Sequence, residues 1–426
     1  MNKAMINLSG SEAALSRRQF LKHSSLTAAG AAVAASLPFV LTSHAAPDDP
    51  IQVALVGCGG RGGGAARDVL EAAPNVKIAA LADLFPEKIE KALKNFPDVP
   101  AENCFSGFDA YRKAMAVPGV NYVILATPPG FRPMQFKAAV EAGKHVFMEK
   151  PVAVDGPGVR SVIETGEMAR RKQLCVVAGT QRRHKPAYRE CVRRIQDGAI
   201  GDLVVLRAYW CVGARWDRGN VGETEMEKQI RNWYHYVWLC GDHIVEQHVH
   251  NLDVCNWVMN GHPINCWGFG GRQCRTGPGQ IYDHFSIEYE YASGVRMLSY
   301  CRQMPGEGMV CESVSGTKGE AKAGDWIRPK QGEIWRAPKG AVKKGEYVQE
   351  HTDLIEAIRT GKYVNESKTV AESTLTAIMG REAAYSGTKI EWDTAINWKT
   401  SLLPEKLEWG PAPKAEVPMP GEHKMT

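Results

Sequence analysis

The chain has 426 residues, 44% hydrophobic and 23% charged, with 52 basic and 47 acidic side chains and a net charge of +5. This composition suits two globular domains with their own cores and excludes a disordered chain. Lys3, Arg17, Arg18 and Lys22 against Glu12 put +3 of that charge in the first 45 residues. The remainder is close to neutral, so no nucleic-acid partner is expected.

The N-terminus reads as a targeting segment rather than part of a fold. Ser16-Arg17-Arg18-Gln19-Phe20-Leu21-Lys22 precedes an Ala-rich apolar run from Leu26 to Leu41, and a small-x-small site follows at Ser43-His44-Ala45. This resembles a twin-arginine export signal. Residues 1–45 are therefore expected to be cleaved, and the protein to be periplasmic or otherwise exported through the twin-arginine export machinery. A short membrane anchor is the alternative, but Gly30, Ser36 and Pro38 interrupt the run, which falls short of the roughly 20 residues a span needs. Eleven cysteines are scattered without a CxxC pair, so no disulfide framework is expected.

Residues 46–180 alternate strand and helix signals. Ile51–Val56 is a β-rich apolar run ending in Gly57-Cys58-Gly59-Gly60-Arg61-Gly62, and a helical pattern opens from Ala65. A GxGxxG run between a strand and a helix is the dinucleotide fingerprint: Gly57 for the tight turn, Gly59 for backbone approach to a pyrophosphate, Gly62 for close helix–strand packing. Gly59, Gly60, Arg61 and Gly62 are the expected pyrophosphate contacts. The next strand, Lys77–Ala82, ends in Asp83, 21 residues after Gly62. A carboxylate there binds the ribose hydroxyls of NAD and repels a 2′-phosphate. Val120–Ala126 is a buried strand running into Thr127-Pro128-Pro129, followed by a helix from Met134 to Ala142. The strand Lys144–Met148 then enters Glu149-Lys150-Pro151. These tips fall along the carboxyl edge of a parallel sheet, where ligands bind.

Gly57-Cys58-Gly59-Gly60-Arg61-Gly62, Ala126-Thr127-Pro128-Pro129 and Glu149-Lys150-Pro151 together resemble the Gfo/Idh/MocA oxidoreductases, a family named for glucose-fructose oxidoreductase and inositol dehydrogenase. The resemblance implies an α/β fold with NAD as cofactor: an N-terminal Rossmann domain, and a C-terminal α+β domain (181–426) with a large, mostly antiparallel open sheet. It also implies a homo-oligomer, a dimer or tetramer formed through that sheet. It puts Thr127, Pro128 and Glu149 with the cofactor and Lys150 beside both nicotinamide and substrate. An ammonium there can hold and polarise a hydroxyl under oxidation.

In the substrate half, Val176–Thr180 leads into Gln181-Arg182-Arg183-His184. The resemblance brings this tip near the substrate, with Arg183 as a contact; a solvated basic loop is the plain alternative. Strand signals recur at Leu203–Trp210, Ile264–Phe269, Asp283–Tyr289, Arg296–Arg302 and Met309–Ser315, and helices close the chain at Gln349–Thr360 and Ser367–Ser386. Gly241–Asp253 reads as a helix. At 100° per residue, Glu246, His250, Asp253 and Trp257 lie within about 60° of one another, with His248 on the opposite side. One face thus carries a carboxylate and an imidazole four residues apart, an acid–base pair. The family often has Asp-x-Gly-x-His-x-x-Asp here, which makes His250 the catalytic histidine; Glu246 stands where that pattern has Asp, and His248 where it has Gly. His243, Glu246 and His250 match no zinc spacing, and no metal is expected. Six of eleven tryptophans (Trp210, Trp216, Trp233, Trp238, Trp257, Trp267) fall between 210 and 267. Most should be core. One or two, Trp233 among them, are expected as platforms for a sugar ring, with Arg231 or Asp242 binding hydroxyls.

The expected activity is NAD(H)-dependent oxidation of a ring hydroxyl on a carbohydrate substrate, such as C3 of a glycoside, with Lys150 and His250 managing the proton and Glu246 assisting. A redox-neutral NAD-dependent glycosidase or epimerase stays open, as does a non-catalytic sugar- or NAD-binding protein, against which intact Lys150 and His250 argue. Free NAD is scarce outside the cytoplasm, so the cofactor is expected to be tightly held and recycled, with an ordered N-terminal segment over the adenine.

Overall fold

The computed structural model describes residues 50–214, 217–219, 221–338 and 345–424, so the expected export signal, the N-terminal segment before residue 50 and Trp216 lie outside the described residues. Strands β1 (Ile51–Val56), β2 (Val76–Asp83), β3 (Cys104–Ser106), β4 (Tyr122–Leu125), β5 (His145–Met148) and β6 (Val176–Ala178) form one sheet in the order β3-β2-β1-β4-β5-β6. All its pairings are parallel. Strand order reverses between β1 and β4, which opens a crevice at their carboxyl ends. β1 and β4 are almost wholly buried on both faces, as strands sandwiched by helices must be. The first helix spans Gly60–Ala72 and starts five residues before Ala65, because its glycine-rich first turn offers no apolar side chains from which to read a helical period.

The second sheet comprises β7 (Leu203–Val212), β8 (Pro263–Gly271), β9 (His284–Tyr291), β10 (Arg296–Gln303), β11 (Met309–Gly316), β12 (Gly319–Lys322), β13 (Trp326–Pro329), β14 (Trp335–Arg336) and β15 (Ile390–Glu391). Their order is β14-β13-β12-β11-β7-β10-β9-β8-β15. Neighbours are antiparallel except β7 and β10, which run parallel from Val205/Arg296 to Val212/Gln303. Burial alternates along β9 and β10, so one face is core and the other is open. The open face carries Trp267 at 58% and Phe269 at 62% exposure. This is the face through which the resemblance implied subunit contact. All eleven cysteines are free.

Helix Ser367–Ser386 covers the core face and also packs on helix Gly156–Arg171 of the nucleotide half. It is buried nearly all round, so its sequence is not a one-sided apolar stripe. Helix Glu346–Thr360 lies on helix Gly60–Ala72, and its Val348, Leu354, Ile355 and Ile358 join Ile51, Val53, Leu55 and Val69 in one apolar cluster. A boundary at residue 180 therefore separates the two sheets but not the two cores.

Gly380 illustrates what that packing demands. Helix propensity alone favours alanine over mid-helix glycine by about 1 kcal/mol. Here a Cβ would stand 2.0 Å from the hydroxyl of Tyr289, a side chain with no exposed surface. Gly380→Ala should therefore destabilise the protein by about 1–3 kcal/mol, the range for overpacking, read as a lowered Tm; an unchanged or raised Tm would contradict this packing.

Candidate active site

The glycine loop is built by two close approaches. A Cβ on Gly62 would lie 1.8 Å from the Gly57 carbonyl oxygen, and one on Gly57 (φ +96°) would lie 2.7 Å from the Ala126 carbonyl carbon. These two glycines seal the loop onto the sheet. A Cβ on Gly59 or Gly60 would meet nothing within 4 Å. The helix opens there with Gly59 as N-cap and no side-chain cap, so its first N–H groups face open space, as an anion site requires.

Asp83 closes the loop from the β2 side. Its carboxylate accepts from the Cys58 N–H at 2.7 Å and the Phe85 N–H at 3.0 Å. Burial raises its pKa, and those backbone donors and Lys88 act against the shift. Gly57, Gly59, Gly60, Arg61, Asp83, Thr127 and Pro128 all line one cleft of about 670 Å³. The residues present thus fit NAD: open glycines for the pyrophosphate and a carboxylate for the ribose. Arg61 Nε donates to Glu149 Oε1 at 2.5 Å, which ties the loop to the end of β5. Gly179 leaves room for that carboxylate, since a Cβ there would lie 2.6 Å from Glu149 Oε2.

Lys150 reaches from this edge into the second half. Its Nζ donates to the Glu246 carbonyl oxygen at 2.5 Å and lies 3.3 Å from Glu246 Oε1. Burial raises the Glu246 pKa, with Lys150 opposing. Glu246 Oε2 is buried and has no hydrogen-bond partner among the described residues. His250 stacks on Trp210 of β7, with centroids 5.9 Å apart and planes 22° apart. Burial and then the Lys150 charge push its pKa well below 6.5, which keeps the imidazole neutral.

The uniform helix expected over Gly241–Asp253 is not present. A short helix, Val237–Cys240, stops where Gly241 (φ +79°) and Asp242 (φ +75°) adopt left-handed backbone, and Ile244–His248 forms a π-turn before a regular helix, Val249–Met259. The 100° step therefore does not carry from Glu246 to His250. His248 does point away, to Ser299 Oγ on β10 at 2.8 Å. Glu246 reaches Lys150, whereas Asp253 is taken by Arg183, whose Nε and Nη2 donate to it at 2.8 and 2.9 Å. Arg183, expected at the substrate, is held by this bidentate pair and lies 5.2 Å over Trp257. Arg231 and Trp233, also expected there, instead line the cofactor cleft. Arg231 pairs with Glu87 at 2.7 Å and Glu227 at 2.8 Å and lies 3.9 Å over the Phe85 ring. Asp242 is fully buried, accepting from Tyr282 N–H and the Tyr385 hydroxyl, and burial lifts it to about 6.

Two residues escaped the sequence reading. Arg132 is buried, donates to the Leu125 carbonyl at 3.0 Å, and is drawn down to about 10 by burial against the pull of Glu149 and Glu246. In sequence it is one more cation at a helix start. Leu407, in a Pro-rich tail, lines the cleft. Among the described residues no group of three or more His, Cys, Asp or Glu is placed to hold a metal ion.

The profile of the Gfo/Idh/MocA oxidoreductase family's NAD-binding Rossmann fold matches residues 51–180, and that of its C-terminal domain matches residues 188–322. The chain belongs to the Gfo/Idh/MocA family. An inositol 2-dehydrogenase/D-chiro-inositol 3-dehydrogenase of Lactiplantibacillus plantarum is 25% identical over 58% of this chain and 64% of its own length, just under two thirds of that relative. An inositol 2-dehydrogenase of Burkholderia lata is 25% identical over 65% of this chain and 74% of its own. The crystal structure of aldose–aldose oxidoreductase from Caulobacter crescentus shares the fold, with a TM-score of 0.64 over 80% of this chain and 99% of that one at 18% identity. In this Gfo/Idh/MocA protein, Asp83 should make NAD bind more tightly than NADP, and Asp83→Ser should narrow the gap by about tenfold, or about 1.4 kcal/mol. Calorimetric titration with both nucleotides checks this; tighter NADP binding by the unaltered protein would contradict it.

Proposed function

We propose that the protein oxidises a ring hydroxyl of a sugar, glycoside or cyclitol, with NAD held in the cleft and recycled in place. The observation that carries this reading is the meeting of Lys150 with Glu246 at the carboxyl edge of the nucleotide sheet, next to a neutral His250. Bound NAD supplies the hydride acceptor. Lys150 Nζ is placed to donate to the substrate hydroxyl and stabilise negative charge developing on its oxygen. His250, neutral and stacked on Trp210, takes the hydroxyl proton at a ring nitrogen. Glu246 orients Lys150 through Oε1 and offers Oε2 to a second hydroxyl. Trp210 replaces Trp233 as the aromatic surface next to the chemistry. The inositol dehydrogenases among the relatives support a cyclic polyol as substrate class.

The export signal belongs to the same reading. A protein carried out of the cytoplasm must hold its cofactor at sub-micromolar free NAD, which needs a binding free energy stronger than about −8 kcal/mol. A carbohydrate screen that follows both NADH absorbance and products tests the activity. Ketose accumulating with NADH means net oxidation. Hydrolysed or epimerised sugar with no net NADH means a redox-neutral cycle on the same residues. No turnover of any cyclic polyol would contradict both.

Lys150→Ala and His250→Ala should each lower kcat by about 10²-fold or more while NAD stays bound. Because His250 must be neutral to accept the proton and is held below its ordinary 6.5, activity is retained as pH falls past 6.5 and is lost only when His250 itself protonates. The acid limb of kcat/KM should therefore lie below pH 6.5; a limb above that value, or near-normal kcat in both alanine variants, would remove His250 and Lys150 from these roles.

A further inference from the structure

From Asn397 to Lys424 the chain forms no helix or strand, and Pro404, Pro411, Pro413, Pro418 and Pro420 punctuate it. A segment of this composition and length lacks the means to fold by itself. It is nevertheless fastened at intervals to both halves of the molecule. Leu402 N–H donates to Asp155 Oδ2 at 2.7 Å, the same carboxylate that caps helix Gly156–Arg171. The Gly410 carbonyl accepts from Met226 N–H at 3.0 Å, and the Pro413 carbonyl from Gln229 Nε2 at 2.8 Å. Farther on, the Pro418 carbonyl accepts from the Tyr282 hydroxyl at 2.7 Å, and His423 Nε2 meets Glu382 Oε2 at 2.7 Å.

Between the Leu402 and Gly410 anchors the segment reaches the cofactor cleft. Leu407 is on the cleft wall. The Trp409 ring lies 5.0 Å from Phe108 and 5.8 Å from Phe85, which also line the cleft and follow the ends of β3 and β2. Leu402, Leu407 and Ala412 pack on one apolar cluster with Phe85, Phe108, Phe131 and Trp238. In a doubly wound sheet the acid after the second strand holds the adenosine ribose. The cleft wall beyond Asp83, made by Phe85, Phe108 and Leu407, therefore faces the adenine half of the dinucleotide.

We propose that residues 402–410 are a cofactor-binding element: Leu407 contacts the adenosine half of NAD, and Trp409 pins the segment across that end of the cleft. Departure of the nucleotide then requires the strap to lift from Phe85 and Phe108, which slows release without altering the glycine loop. This rests on NAD occupying the cleft, and it gives the retention argued above a physical cause in the C-terminal tail.

The test separates adenosine from nicotinamide. NADH and reduced nicotinamide mononucleotide, which lacks adenosine, are titrated by fluorescence into unaltered protein, Trp409→Ala, Leu407→Ala and Trp409→Phe, and NADH release is timed by stopped flow. Trp409→Ala and Leu407→Ala should weaken NADH binding and speed its release by about tenfold or more, leave mononucleotide binding unchanged, and be mimicked only weakly by Trp409→Phe. In the unaltered protein, hydrogen exchange at residues 405–410 should slow with NADH and not with the mononucleotide, a readout that does not depend on how any variant folds. Equal NADH release in folded variants, or exchange at 405–410 indifferent to NADH, overturns the proposal. Neither measurement uses a sugar, so failure of the proposed oxidation would leave this result standing, and the reverse.

Discussion

The site depends on one steric constraint: the first turn of helix Gly60–Ala72 touches the loop that precedes it. With Gly62 against the Gly57 carbonyl and Gly57 against Ala126, the helix start is pressed onto the β1–β4 switch point. Any side chain at either position pushes the helix outward, and the N–H groups that await an anion go with it. Because the loop is sealed on the sheet side, Gly59 and Gly60 can remain open on the other. Asp83 then secures the far edge through the Cys58 N–H.

From that loop a line of charges leads to the chemistry. Arg61 holds Glu149, the residue before Lys150, and Lys150 holds Glu246 in the other half of the molecule. The nucleotide loop and the substrate face are thus joined through a partly exposed Arg61 and three side chains with little access to water, Glu149, Lys150 and Glu246, where ion pairs are worth having only if each member is matched. Arg132, buried near Glu149 and Glu246, supplies one of the balancing charges. His184 supplies another behind the site: burial opposes its charge, but Glu366 and Asp353 raise it to about 10. It therefore stays cationic across the neutral range and loses that stabilising charge only as pH rises towards 10. His250 lies among cations and is driven the other way. Under similar burial one histidine is a cation across the neutral range and the other a neutral base, and the neighbours decide which.

How much of this was legible in the sequence follows from what each signal needs. Strand, glycine run, helix and acid are local and ordered along the chain, so the nucleotide site could be read from Gly57 to Asp83, and Glu149-Lys150 through its resemblance. The long strands of the second sheet announced themselves by alternation, but the short strands β12 to β15 did not. The break ahead of the π-turn at Ile244–His248 was invisible because the left-handed backbone at Gly241 and Asp242 is accompanied by buried contacts, such as Asp242 with Tyr385, that a sequence does not state. Arg183 and Arg231 were expected at the substrate because a sequence does not state that Asp253 and Glu87 lie across from them. The tail was unreadable for a related reason: within residues 397–424 there are only short local turns, such as the Glu422 N–H on the Met419 carbonyl, and the rest of its order comes from distant anchors.

The most direct test is to purify the protein without added nucleotide, dialyse it extensively, denature it and identify and quantify what is released by mass spectrometry. Near-stoichiometric NAD is the result this account predicts. Protein that emerges empty and works only with millimolar NAD would contradict a retained, recycled cofactor, and protein that takes up no NAD at all would contradict the site itself.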